Sequence, residues 1–403
     1  MLQNRKEVNP VKIKFACLML AICLLLGGCN FTDGKYISVV PHEKSDYVLG
    51  DKMVQPHNYS QLRVALQDII RSGLTESVID LSRFDPELVN NSIDMAIRYV
   101  KNSYPLAAYA VNDISYELGT RAGTPAMSVQ IDYRHSDVAI RQILNVSGMK
   151  QAKEAIAKAL ENCSPGVVLM IPSYREMDID QFVKDYAQEH PDSVMEIPEV
   201  AVALYPDSGS ERVLELSFTY QNSRENLRKM QDAVKPVFAS AELYVSGASD
   251  SQRKYAQLYS FLMGLFSHDF DIVTSITPSY SLLIHGVGDE RAFAEVYAYM
   301  CRQADLECLI VTGTYNGEPH TWNIVKNHGV YSHVDMLECY NQGYFEMHSD
   351  EEMLGHVWDY SAYPSCVLPT QSVTDGIEST EPVQQPESTE PVDPTEPSTP
   401  ELT

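Results

Sequence analysis

The sequence predicts an α+β protein: two repeated small α+β modules, a third α+β domain and a disordered acidic tail. Three observations carry this. Apolar residues recur at helical spacing in two stretches, "SQLRVALQDII" and "KQAKEAIAKAL", that superimpose without a gap. Each is followed by a short apolar run, a second helical stretch and two alternating runs, which is the pattern of mixed helix and strand. After residue 250 the repeat stops, and a different series of helices and hairpin strands begins.

The chain opens with "MLQNRKEVNPVKIKFACLMLAICLLLGGC". Basic Arg5, Lys6, Lys12 and Lys14 precede an apolar run from Phe15 to Leu26, which is the layout of a signal peptide over residues 1–28. Gly27 and Gly28 before Cys29 resemble a bacterial lipobox. That resemblance implies a diacylglyceryl group on Cys29, and two acyl chains are what stable membrane attachment requires. The expected location is the outer face of a bacterial cell membrane, with residues 29–58 as a linker.

Residues 59–147 and 148–240 read as the two repeats. Leu62, Ala65, Leu66, Ile69 and Ile70 fall on Ala152, Ala155, Ile156, Ala159 and Leu160, and both sets describe one buried helical face. "VIDLSRF" and "VLMIPSY" read as strands, "NSIDMAIRYV" and "DQFVKDYA" as second helices. "SVQIDYRHS" matches "VLELSFTYQNS" in alternation and in its final serine. Each unit is roughly 90 residues, longer than the usual solenoid periods, so two modules are expected, not an array. No histidine or paired carboxylate at a periodic spacing marks either module for chemistry.

The third domain spans 250–368. "DSQRKYAQLYSFLMGLF" is an amphipathic helix with Tyr255, Leu258, Leu262 and Leu265 on one face. Asp289 is placed to cap a helix running to about Gln303, because a side-chain oxygen there accepts a first-turn amide. "ECLIVTGTY" and "HTWNIVK" are strands, Asn327-His328-Gly329 a hairpin turn, and "VYSHVDML" the return strand. With Gly329 in the left-handed position of a three-residue loop, Asp335 falls level with His320 to within one residue. Cross-strand neighbours lie about 5 Å apart, close enough for an imidazole–carboxylate hydrogen bond.

These motifs resemble the transglutaminase-like domain of bacterial envelope lipoproteins, a branch of the papain-type cysteine-protease architecture. "HGVGDERAFAEVYAYMC" corresponds to the glycine turn and helix, "LECLIVTGTYNGEPHTWNIV" to the strand and histidine, and "YSHVDML" to the aspartate. "GYFEMHSDEEMLGHVWDYSAYPSC" also resembles the segment after the aspartate in many such lipoproteins. The resemblance implies a cysteine where the helix begins, activated by the helix dipole and by His320, with Asp335 orienting the imidazole. Here Glu290 stands at that position. Between Cys163 and Cys301 there is no cysteine at all. Cys301 lies eleven residues along the helix, about 16 Å of rise from its start.

The expected function is therefore a membrane-anchored surface lipoprotein whose transglutaminase-like domain binds or scaffolds without catalysis. Two other readings stay open: a hydrolase of altered mechanism using Glu290 and His320, and an envelope solute- or glycan-binding protein. No cofactor is implied, and no CxxC spacing points to a zinc site. Cys339 and Cys366 flank the last folded stretch; either they pair, or all five mature thiols (Cys163, Cys301, Cys308, Cys339, Cys366) are buried and free.

From 369 to 403 the chain has no aromatic residue, Lys or Arg, repeats "STEPV", and is dense in Pro, Thr and Glu. Such a segment cannot bury enough apolar surface to offset its ordering entropy. The net charge of -25 excludes nucleic acid and electrostatic adhesion to anionic lipid. Partners are expected to be the membrane, through lipidated Cys29, and an envelope protein or glycan.

Overall fold

Helix α1 (Tyr59–Arg71) starts where the Asn58 side chain accepts the Gln61 amide, and its whole apolar stripe, Leu62, Ala65, Leu66, Ile69 and Ile70, is buried. It is the first element of a computed structural model that describes residues 55–265, 267–268 and 277–367. The signal peptide of 1–28, Cys29, most of the 29–58 linker and the 369–403 tail lie outside the described residues. No helix among the described residues is long and apolar enough to cross a membrane.

After α1 come β1 (Glu76–Asp80), α2 (Val89–Ser103), α3 (Pro105–Ala110), β2 (Val111–Arg121) and β3 (Thr124–Tyr133). Ala122 and Gly123, both at positive φ, form the two-residue turn of the β2–β3 hairpin. The sheet order is β1-β3-β2, antiparallel throughout. Its inner face closes over α1 and α2 through Ile79, Met127, Val129, Ile93 and Val100.

The next stretch runs α4 (Asp137–Arg141), β4 (Leu144–Asn145), α5 (Met149–Glu161), β5 (Gly166–Ile171), α6 (Ile179–Glu189), β6 (Glu199–Tyr205) and β7 (Arg212–Thr219). Its strand order is β4-β5-β7-β6. In α5, Ala152, Ile156, Ala159 and Leu160 are buried, whereas Ala155 is only partly so. The final serines of the two matched stretches both cap helices. Ser136 accepts the Ala139 amide at the start of α4, and Ser223 accepts the Asn226 amide at the start of the next helix. Packing divides the chain into two units, 1–147 with 168–174 and 204–214, and 148–167 with 175–203 and 215–403.

The C-terminal elements belong to the second unit. They are α7 (Arg224–Val245), α8 (Ser251–Leu265), β8 (Ser267–His268), α9 (Pro278–His285), β9 (Val287–Gly288), α10 (Glu290–Gln303), β10 (Cys308–Tyr315), β11 (Glu318–Asn327), β12 (Val330–Val334), α11 (Met336–Gln342) and β13 (His356–Val357). Tyr255, Leu258 and Leu262 of α8 are buried as their spacing requires. Helix α10 is capped by Asp289, whose carboxylate accepts the Ala292 amide, and every residue from Ala292 to Ala298 is buried. Strand order is β12-β11-β10-β13, all antiparallel.

The β11–β12 turn differs from the expected one. Asn327 pairs with Val330, leaving His328 and Gly329, both at positive φ, as a two-residue loop. Val334 consequently lies opposite Asn323, and Asp335 sits beyond the strand end, diagonal to His320 instead of level with it.

Gly313 of β10 pairs with His320, and a Cβ there would lie 2.3 Å from the Val357 carbonyl oxygen and 2.8 Å from the Trp322 ring. Neither backbone nor a buried indole yields cheaply. Gly313→Ala is expected to destabilise this unit by about 2 kcal/mol or more in urea unfolding; an unchanged midpoint would contradict the packing.

Candidate functional site

The pleat of β11 assigns its two faces. Asn323 and Val325 turn to α10: Asn323 is fully buried and its Nδ2 donates to the Ala294 carbonyl at 3.0 Å. His320, Trp322 and Ile324 turn the other way, where Trp322 and Ile324 join a small cluster with Val311, Met353, Trp358 and Cys366. Because Asp335 follows β12 and begins α11, it reaches that second face.

There the expected His–Asp pair forms. His320 Nε2 lies 2.8 Å from Asp335 Oδ2. A residue not foreseen from the sequence completes the arrangement: His356 of β13 places its Nε2 2.9 Å from the same oxygen. The other carboxylate oxygen, Oδ1, accepts the Leu337 and Glu338 amides at the start of α11. One side chain therefore caps a helix and holds two imidazoles. His320, Asp335 and His356 are 5%, 2% and 7% exposed, so water reaches none of them freely.

Burial alone would push the Asp335 carboxyl up. Hydrogen bonds from His320 and His356, with the Glu338 amide, outweigh it and hold the group well below the usual carboxylate range. Both imidazoles present Nε2–H to the carboxylate. The Nδ1 of His356 is buried without a hydrogen-bond partner. Tyr315 lies over the pair, its ring centroid 4.5 Å from that of His356 and 5.6 Å from that of His320.

A second histidine–aspartate pair adjoins the first. The Trp322 indole N–H donates to His333 Nδ1 at 2.9 Å, and indole nitrogen can only donate. His333 must therefore carry its proton on Nε2, which faces Asp350 Oδ1 at 2.9 Å. Burial pushes the His333 pKa down, in keeping with that neutral tautomer. Asp350 Oδ2 in turn accepts from Ser365 Oγ and the Cys366 amide. Every polar atom of this second chain is satisfied.

Two further expectations bear on the site. Glu290 is the first residue of α10, as expected, and the carboxylate on His320 Nε2 is that of Asp335. His320 turns toward Trp322 and His356, while the alternate residue Asn323 faces α10. Cys339 and Cys366 do not pair. Each is a free buried thiol with its own contacts, Cys339 Sγ against the Glu346 backbone and Cys366 Sγ against the Pro364 carbonyl. Burial pushes both thiols up to about 12. Cys301, in the last turn of α10, is pushed well above its ordinary value for the same reason.

Residues 239–348, which carry His320, Asp335 and the whole of α10, match the transglutaminase-like superfamily. This segment is a transglutaminase-like domain. Its match begins inside α7, ahead of the boundary at 250 expected from the sequence, and ends before His356. Among solved structures, a TGase is similar at 11% identity and a TM-score of 0.24, covering 42% of this chain and 50% of that one. A candidate cysteine protease from Cytophaga hutchinsonii is similar at 10% identity and a TM-score of 0.25, covering 37% and 65%. A candidate protease from Parabacteroides distasonis is similar at 7% identity and a TM-score of 0.21, covering 56% and 36%. The chain thus spans between 36% and 65% of the length of these structures. No curated protein matches.

Every described cysteine of the transglutaminase-like domain, Cys301, Cys308, Cys339 and Cys366, is free and buried. Thiolate, not thiol, is the nucleophile, and burial in apolar surroundings disfavours the thiolate. Iodoacetamide at pH 8 should modify Cys163, Cys301, Cys308, Cys339 and Cys366 at least about 100-fold more slowly in the native protein than in urea. Mass spectrometry of the labelled peptides reads this, and rapid native labelling at any of the five would contradict the burial.

Proposed function

We propose that this protein is a lipid-anchored component of the bacterial cell envelope. Its transglutaminase-like domain serves binding or scaffolding there, not acyl transfer. The observation that carries the reading is the first turn of α10. Asp289 caps it and Glu290 opens it, and this acidic pair suits the positive end of the helix dipole without supplying a thiol. His320 and Asp335 keep their mutual hydrogen bond, but His356 shares the carboxylate and the three are sealed from solvent. Such a cluster fixes β11, β13 and α11 to one another. Its partner is an envelope protein or glycan.

The element order of 59–133, which matches that of 149–219 apart from the added helix α3, the matching strand orders β1-β3-β2 and β5-β7-β6, and the paired serine caps support a duplicated module as the rest of the folded chain.

Anchoring is tested by fractionating cells that express the full chain. The wild-type protein should sediment with membranes, cut between Gly28 and Cys29, and Cys29→Ala should stall processing or release the protein. Retention of a fully processed Cys29→Ala protein would overturn the anchor.

A further inference from the structure

Beyond the anchoring and the missing thiol, and independent of both, the buried His320–Asp335–His356 cluster has the makings of a metal centre. Three ligand-type atoms, His320 Nε2, His356 Nε2 and Asp335 Oδ2, all lie within 4.8 Å of one another. They come from strand β11, the two-residue strand β13 and the N-cap of α11, and hydrogen bonds to Asp335 hold all three together. We propose that these three atoms bind one divalent transition-metal ion of the zinc class.

The chemistry of the donor set fits. Two imidazoles and one carboxylate suit zinc and its neighbours in the first transition row, and three protein ligands leave a fourth tetrahedral position for water or an anionic ligand. At metal–ligand distances of about 2.0 Å, neighbouring donors in a tetrahedron stand about 3.3 Å apart. The present separations from Oδ2, 2.8 and 2.9 Å, are hydrogen-bond lengths that open by about 0.5 Å to admit the ion. Asp335 is already oriented for this. Its Oδ1 is tied to the Leu337 and Glu338 amides, which leaves Oδ2 as the one oxygen facing the imidazoles, the kind of outer-shell anchoring that metal ligands require.

Charge points the same way. The hydrogen-bond partners of Asp335 are two histidines and two backbone amides, with no Lys or Arg among them. A divalent ion would balance the buried carboxylate. Ligation through Nε2 puts the His356 proton on Nδ1, where no acceptor waits. That costs one unmade hydrogen bond, small beside two metal–nitrogen bonds and one metal–oxygen bond. Tyr315, 41% exposed, lies tilted against both imidazoles on the side of the cluster nearer solvent.

The neighbouring His333–Asp350–Cys366 group is the control, not a rival. His333 Nδ1 is taken by the Trp322 indole, Asp350 by Ser365 and the Cys366 amide, and the Cys366 thiol is buried in its neutral form.

The test is titration of chelator-treated, full-length protein with Zn²⁺ against a chromophoric competitor, and with Co²⁺ followed by visible absorption. One equivalent should bind with a dissociation constant below about 1 µM. The cobalt form should show tetrahedral d–d bands without a thiolate charge-transfer band. His320→Gln and His356→Gln, checked for fold by circular dichroism, should each weaken binding at least about 100-fold, and Cys366→Ser should leave it unchanged. Absence of stoichiometric binding to the folded wild-type protein overturns the proposal even if the variants fail to fold. So does a thiolate band, dependence on Cys366, or full affinity in the folded histidine variants.

Discussion

Asp335→Asn is expected to lower the stability of the transglutaminase-like domain by about 2–5 kcal/mol, since each buried imidazole donor left without its acceptor costs about 1–3 kcal/mol. The asparagine can keep its oxygen on the α11 amides. Its Nδ2 would then point at two imidazole N–H groups where Oδ2 had accepted both. Turning the amide over saves the imidazoles and loses the helix cap instead. The carboxylate also gives this stability a pH dependence. Its folded pKa is held below the usual range, so its contribution is full above the unfolded value of about 3.9 and is lost as pH falls from there through the lower folded value. Urea unfolding between pH 7 and pH 3 should show an acid-side decline in the wild-type protein that is shallower in Asp335→Asn. Equal slopes would mean that the carboxylate is not clamped as described.

Trp322→Ala should cost a similar amount, about 3–5 kcal/mol, because a fully buried indole is deleted. It packs edge-on to Trp358 with centroids 5.7 Å apart and lies beside His320, so the cavity would open between the two histidine–aspartate pairs. Trp322→Phe separates packing from hydrogen bonding. It keeps most of the volume but leaves His333 Nδ1 buried without its donor, a loss of about 1–3 kcal/mol. Thermal and urea unfolding of the two variants distinguish the terms. If Trp322→Phe were neutral, the indole N–H would contribute nothing and the His333 tautomer argument would fall.

Local signals made much of this fold legible in the sequence. The stripe from Leu62 to Ile70 and the face formed by Tyr255, Leu258 and Leu262 are buried as their spacing requires. The Asp289 cap and the α10 span to Gln303 follow from a capping carboxylate ahead of a long apolar helix. His320 and Asp335 were legible as a pair because a hairpin ties their separation to a turn. Even so, the turn proved one residue shorter than read, since Asn-His-Gly suits either loop and only the observed pairing of Asn327 with Val330 decides. His356 was not legible in this way. It returns to the sheet after an irregular stretch from Gly343 to Gly355, with no period to carry a register across it. The same gap hides the Asp350 partner of His333.

The most direct measurement of the central claim is turnover. Purified full-length protein, assayed at neutral pH for amine incorporation into a glutaminyl peptide and for peptide hydrolysis, should show no activity above the rate without protein, and His320→Ala should behave identically. Activity in the wild-type chain that disappears in a folded His320→Ala variant would show that the domain is a working enzyme, and would contradict the account.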